Sequence, residues 1–198
     1  MDNSHLSTEF WQNQYEANST GWDRGEVHPA LLNWIKLDEL SPCRIVVPGC
    51  GRGHEVTHMA QRGFDVTAID YATAPIEFLK NQLATQGLEA SLFAADLFSF
   101  EVSTPYDAVY EQTCLCAIDP GLRPRYADLV YQWLRPGGQL YLLMVQTNSS
   151  HGPPFHCNPV EMRDLFSHRR WQWQESDVTH YDHPSGQIHE LAVVLNRR

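Results

Sequence analysis

The chain has 198 residues, 42% hydrophobic and 19% charged, enough to bury a full core in one domain. Its 24 acids against 14 bases give a formal net charge of −10, with no lysine or arginine block. Nucleic acids are held through basic patches, so that class of partner is excluded and a small neutral or cationic ligand is expected.

The opening stretch "MDNSHLSTEFWQNQ" has neither a basic nor an apolar leader run. No segment approaches the ~20 apolar residues of a membrane span, so a cytoplasmic protein without membrane contact is expected; the oligomeric state is not legible, with a monomer favoured over an oligomer. Residues 1–43 read as an amphipathic helical cap carrying Phe10, Trp11, Tyr15 and Trp22, then Leu31, Leu32, Trp34 and Ile35. "RIVVP" (44–48) is a short buried strand, followed by helical spacing over 52–62 with Val56, Met59 and Ala60 inward. "FDVTAID" (64–70) is a second strand, and Ile76, Leu79 and Leu83 mark a helix over 75–85 with Pro75 in its first turn. "ASLFAAD" (90–96) and "YDAVYEQ" (106–112) are strands three and four. A helix over 123–134 is stopped by "RPGG", and "QLYLLMV" (139–145) is strand five. A helix over 158–168 precedes a closing antiparallel pair, "WQWQESDVTHY" and "IHELAVVL", joined at "HPSG". The series predicts an α/β fold with a doubly wound, mostly parallel sheet.

Five cysteines (Cys43, Cys50, Cys114, Cys116, Cys157) are an odd number, which disfavours a disulfide framework. Neither the C-x-C of Cys114 and Cys116 nor the adjacent His156 and Cys157 matches the usual C-x₂₋₄-C zinc pairing, so no metal is expected. In a doubly wound sheet the ligand lies beyond the carboxyl ends of the strands, where "PGCGRGHE" (48–55) follows the first strand. Gly49, Gly51 and Gly53 are spaced G-x-G-x-G. A dinucleotide loop wants its last glycine at position 54, which is His54, and no G-K-[ST] follows. Asp70 ends the second strand, where a carboxylate can accept both hydroxyls of a ribose, and Asp96 ends the third. The alternative is that both acids only cap turns. A nucleoside-type ligand is the expectation.

"FWQNQYEANSTGWDRGEVHP", "VPGCGRGHE", "VTAIDYA", "AADLF", "YDAVYEQTCLCAIDPGLRPRYA", "LRPGGQLYLLM" and "GPPF" resemble, in this order and over nearly the whole chain, the thiopurine S-methyltransferase-like family of S-adenosylmethionine-dependent enzymes. Pro48 stands where most Rossmann-like methyltransferases carry an acid and where this family carries proline, and "GWDRGEVHP" with "CAIDPGLRP" is similar to its thiol, thiocyanate and halide branch. The resemblance implies a Rossmann-like class I fold with a seven-stranded sheet. It implies a sulfonium cofactor clasped by Trp11 and Trp22, with Gly49 and Gly51 beneath it, Asp70 on the ribose and Asp96 near the adenine amine. Aromatic faces attract cations, although burial in the core is the commoner fate of such tryptophans. Gln112 belongs to the same set and departs from the aromatic residue of halide-type relatives.

On the acceptor side the resemblance implies Arg123 as the catalytic cation, with Asp23, Cys116, His151 and Phe155 around a small thiol or anion. Arg123 also reads as a solvated helix-start arginine, and His151 as a surface loop residue. The implied reaction is in-line displacement at a methyl carbon on charged sulfur. Orientation and exclusion of water then supply most of the effect, up to about 7–11 kcal/mol in intramolecular models. Halide, thiocyanate or metalloid-anion acceptors, a nicotinamide dehydrogenase and a non-catalytic nucleotide-binding module stay open as alternatives.

Overall fold

The structure, a computed structural model, describes residues 6–147, 149, 151–174 and 178–198. The chain forms two compact units that meet in sequence between Phe100 and Glu101.

In the first unit, two helices, α1 (Thr8–Glu16) and α2 (Pro29–Lys36), precede β1 (Arg44–Pro48), α3 (His54–Ala60), β2 (Asp65–Asp70), α4 (Thr73–Gln86) and β3 (Ser91–Ala94). β1 runs parallel to β2 with Arg44 opposite Asp65, and β2 parallel to β3 with Asp70 opposite Ala94. The β-branched run Ile45–Val47 and the alternation Val66, Ala68 are fully buried, as are Val56 and Met59 of α3 and Leu79 of α4. That burial turns the carboxyl ends of three parallel strands to one edge, so Pro48, Asp70 and Ala94 point the same way. The cap differs from its expected packing. α2 buries Leu31 and Trp34 but leaves Leu32 exposed, while α1 buries no residue completely.

The second unit holds β4 (Tyr106–Gln112), α5 (Cys114–Ala117), α6 (Arg123–Trp133), β5 (Leu134–Gln146), α7 (Pro159–Leu165), β6 (Trp171–Trp173), β7 (Thr179–Asp182) and β8 (His189–Arg197). β4 and β5 are parallel, and β5 pairs antiparallel with β8 along eight residues. β5 begins five residues earlier than the alternation suggests. The "RPGG" stretch is absorbed as an irregularity, with Tyr106 opposite Leu134 and the next match at Ala108 and Gln139. The expected long strand over 171–181 is two short ones. β6 pairs with the end of β8 and β7 with its beginning, and residues 175–177 lie outside the described residues. Three strands in the first unit and five in the second thus replace the expected seven among the described residues. Tyr110, Tyr126, Tyr141, Phe166 and Trp171 fill this unit's core. Among the described residues no helix is long and apolar enough to cross a membrane.

Candidate functional site

The glycine loop leaves β1 through three left-handed residues, with φ of 59° at Gly49, 52° at Gly51 and 70° at Gly53. Gly53 is fixed by contact as well as conformation. A Cβ there would lie 2.5 Å from Cδ2 of Leu79, so α4 can pack close only on a bare backbone. Asp70 sits under the loop and is 6% exposed. Its Oδ2 accepts from Gly51 N at 2.9 Å and its Oδ1 from Ala72 N at 3.0 Å. Burial raises its pKa, opposed by hydrogen bonds from the Ala72, Gly51 and Tyr71 amides and the Tyr15 hydroxyl. Asp96 is exposed and caps the turn after β3 through Phe98 N at 2.9 Å. Both acids therefore do cap turns, but only Asp70 is also tied to the glycine loop.

Trp11 and Trp22 stand edge to face at 5.4 Å, and Tyr15 and Trp22 likewise at 5.7 Å. None of the three is fully buried, so they are not ordinary core. Tyr15 is the member the sequence reading passed over as a site residue. Its hydroxyl lies 3.3 Å from where a Cβ on Gly51 would be, which explains a bare glycine at that point. One helical turn separates it from Trp11, the spacing that could have revealed it.

Asp23, expected at the acceptor, is paired with the protein's own loops. Its Oδ1 meets His54 Nε2 at 2.9 Å and accepts from Gly25 N at 2.8 Å, and Arg52 Nε lies 3.5 Å from Oδ2. The carboxylate thus serves the protein's own loops. Its immediate neighbour is Trp22, so this pairing also fixes the aromatic cluster.

In the second unit Arg123 corrects the expectation that it stands on an exposed rim. It is 5% exposed, neither a solvated helix-start residue nor a free cation on a rim. Its Nε donates to the Leu115 carbonyl at 3.3 Å, Nη1 to that of His156 at 3.1 Å and Nη2 to that of Phe155 at 3.2 Å. The guanidinium fork spans two irregular loops whose carbonyls have no ladder to join. Cys116 and Phe155, both expected at the acceptor, are brought together here, since Phe155 N donates to Cys116 O at 2.7 Å. The Phe155 ring covers Gly152, where a Cβ would lie 2.6 Å away. The Cys116 thiol is directed at Thr113 O, 3.1 Å away, and burial raises its pKa well above the ordinary value. Cys157 is pushed by burial up to about 11. Neither supplies a thiolate at neutral pH. His151 is exposed and not drawn into this cluster. Gln112 is half-buried at the end of β4, its Oε1 accepting from the Tyr110 hydroxyl at 2.8 Å.

Thr113 escaped the sequence reading, and Glu111, expected only as a wall of the strand-end region, does more. Thr113 has φ of 62°, a left-handed conformation costly for a β-branched residue. Glu111 is wholly buried, accepting from Leu115 N at 2.9 Å and from the Tyr126 hydroxyl at 2.7 Å, and burial lifts its pKa to about 7. Among the described residues no group of three or more histidine, cysteine or acidic side chains could hold a metal ion.

The family model described as thiopurine S-methyltransferase matches residues 6–197. A protein of Arabidopsis thaliana named probable thiol methyltransferase 2 is 31% identical over 161 residues, 80% of this chain and 71% of that protein. A thiopurine S-methyltransferase of Vibrio cholerae is 30% identical over 176 residues, 80% of each chain. Among solved structures, the Burkholderia thailandensis 1,6-didemethyltoxoflavin-N1-methyltransferase with bound S-adenosylhomocysteine superposes with a TM-score of 0.80. It is 17% identical, with 98% of this chain and 88% of that chain covered, which shows the Rossmann-like class I methyltransferase fold. The chain belongs to the thiopurine S-methyltransferase family and is an S-adenosylmethionine-dependent methyltransferase.

Proposed function

We propose that this methyltransferase acts on a small soft nucleophile, a thiol sulfur first. The observation that carries the reading is the half-exposed cluster of Trp11, Tyr15 and Trp22 set on the glycine loop beside Asp70. Aromatic faces suit a sulfonium, and the strand-end carboxylate suits a ribose. Asp70 already receives three main-chain N–H groups and a tyrosine hydroxyl, and a carboxylate has about four acceptor positions. The Tyr15 hydroxyl is the partner that a ribose diol would replace, while Asp96 keeps an oxygen for the adenine amine. S-adenosylmethionine supplies an electrophilic methyl carbon on positively charged sulfur. The protein then has to bind, orient and exclude water rather than provide a strong base.

The acceptor loops support a substrate that ionises without much help. The buried cysteines stay neutral, and Arg123 is bound to three carbonyls. Arg123 therefore acts as a positioning residue that joins the loop after β4 to the loop after β5. A thiol with a pKa of roughly 8.5 is already a few per cent ionised at neutral pH and needs no dedicated base. Thiocyanate and halides are second acceptors on the same logic, being anions already.

The test is calorimetric binding of S-adenosylmethionine, followed by methyl transfer from labelled cofactor to a panel of aliphatic thiol, aromatic thiol, hydrosulfide, thiocyanate and iodide. Highest kcat/KM on a thiol is the expected result. Cofactor binding with no transfer to any member would leave a binding module, and binding of NAD in its place would overturn the reading.

A further inference from the structure

The segment from Asn18 to Gly25, which carries Trp22, begins and ends on left-handed residues, with φ of 51° and 74°. Between these bends it is held to Arg52 and His54 of the glycine loop by charged contacts. His54 Nε2 lies 2.9 Å from Asp23 Oδ1, Arg52 Nε 3.5 Å from Asp23 Oδ2, and Arg52 Nη2 donates to Asn18 Oδ1 at 2.8 Å. The Arg52 guanidinium also stacks on Phe78 of α4, 5.5 Å from the ring centre. His54 sits where a dinucleotide loop would need glycine, and here it is engaged with Asp23 instead. We propose that the Asp23–His54 pair is a pH-operated latch that holds Trp22 over the glycine loop and so tunes cofactor affinity.

The groups facing the pair are few. Arg52 and Glu55 flank His54 in the chain, Glu55 itself accepting from His28 N at 2.9 Å, and Arg52, His54 and, from α1, Tyr15 face Asp23. The Asp23 hydrogen bond raises the His54 pKa above its ordinary value, against burial and the Arg52 charge. Burial works against Asp23 ionisation, but the His54 and Gly25 hydrogen bonds and the two cations hold its pKa below the usual carboxylate value. Both groups are therefore charged from mildly acidic pH up to the raised His54 pKa. Above it the imidazole is neutral and keeps at most a weaker, uncharged hydrogen bond. The latch is closed while His54 is protonated and loosens as pH rises through its raised pKa.

The inference rests on the proposed role of Trp22 at the cofactor, so two readouts are needed. Amide exchange of residues 18–25, corrected for intrinsic rates, reports the latch without any ligand. Calorimetry with S-adenosylhomocysteine at the same pH values reports its coupling to the cofactor. In the wild type, protection and affinity should each fall about fivefold between pH 6 and pH 9, the difference between a charged and a neutral hydrogen bond. His54→Gln should be pH-independent and stay at the loose level, and His54→Lys should keep the latch closed to higher pH. Equal pH dependence in wild type and His54→Gln would overturn the latch. Protection that follows His54 while affinity does not would overturn the coupling to Trp22 and leave methyl transfer itself unchallenged.

Discussion

Gln12, on α1, caps the amino end of α4: its Oε1 accepts from Thr73 N at 3.0 Å and from Ala74 N at 3.1 Å. α4 has Ala72 at its own cap position and no local side chain to satisfy those amides, so the cap comes from a helix 61 residues earlier in the chain. Gln12→Ala should lower stability by about 0.5–2 kcal/mol, the range for losing a cap. Gln12→Glu keeps the acceptor and adds a negative charge at a helix amino terminus, so it should match the wild type or exceed it by about 0.3–1 kcal/mol. Urea denaturation of the three proteins checks both, and Gln12→Ala with wild-type stability would remove the cap from the account.

Gly53→Ala meets two penalties at once, a left-handed φ of 70° and a Leu79 side chain 2.5 Å from the new carbon. Overpacking and backbone strain together should destabilise by roughly 2–4 kcal/mol. Gly63 has a φ of 82° with nothing within 4 Å of its would-be Cβ, so Gly63→Ala isolates the backbone part. The gap between the two melting curves measures the Leu79 contact, and equal losses would mean that it contributes nothing.

Arg123→Lys keeps the charge but cannot reach three carbonyls in a fixed fork. Amide exchange at Phe155–Cys157 should speed up, and kcat/KM should drop by about tenfold or more as the two loops separate. Because Arg123 positions loops and does not face an open rim, the drop should be similar for a protonatable thiol and for thiocyanate. A loss confined to one acceptor, or rescued for the thiol by raising the pH, would restore Arg123 as the cation that meets the nucleophile.

Glu111 couples folding to pH. Its pKa of about 7 in the fold lies above the ordinary 4.5, so between these values the folded chain binds more protons than the unfolded one. Stability present at low pH is therefore lost as pH rises through that window, by roughly 2–4 kcal/mol. Glu111→Gln can still accept from Leu115 N and should flatten the profile between pH 4.5 and 7 in chemical denaturation. An unchanged slope in the variant would assign the pH dependence to other groups.

Parts of this molecule are legible in one sequence and parts are not. β1 and β4 end where the sequence places them, because an apolar run stopped by Pro48 and the alternation ending at Gln112 are local signals. The glycine loop and Asp70 are legible for the same reason: both follow from position at a strand end. Arg123 is misjudged because a charged residue reads as exposed unless its partners are known, and its carbonyl partners on Phe155 and His156 lie 32 and 33 residues away in loops without periodicity. Gln12 and His54 fail to announce themselves likewise, since a remote cap or a latch is one hydrogen bond and leaves no repeating pattern. The early start of β5 is hidden by "RPGG", which normally ends an element and here is carried as an irregularity between paired strands.

The hydrogen bond from Gly51 N to Asp70 Oδ2 has one further consequence, for what this loop will refuse. Glycine-rich turns at a strand end ordinarily offer their amides to phosphate oxygens. Here the Gly51 amide is spent on the protein's own carboxylate, so an arriving phosphate would bring lone pairs against lone pairs. For nicotinamide dinucleotides and nucleoside triphosphates the Gly51 amide is no longer on offer as a phosphate donor. A ligand that brings hydroxyls and a positive charge meets no such objection, since it approaches Asp70 with donors and not with lone pairs.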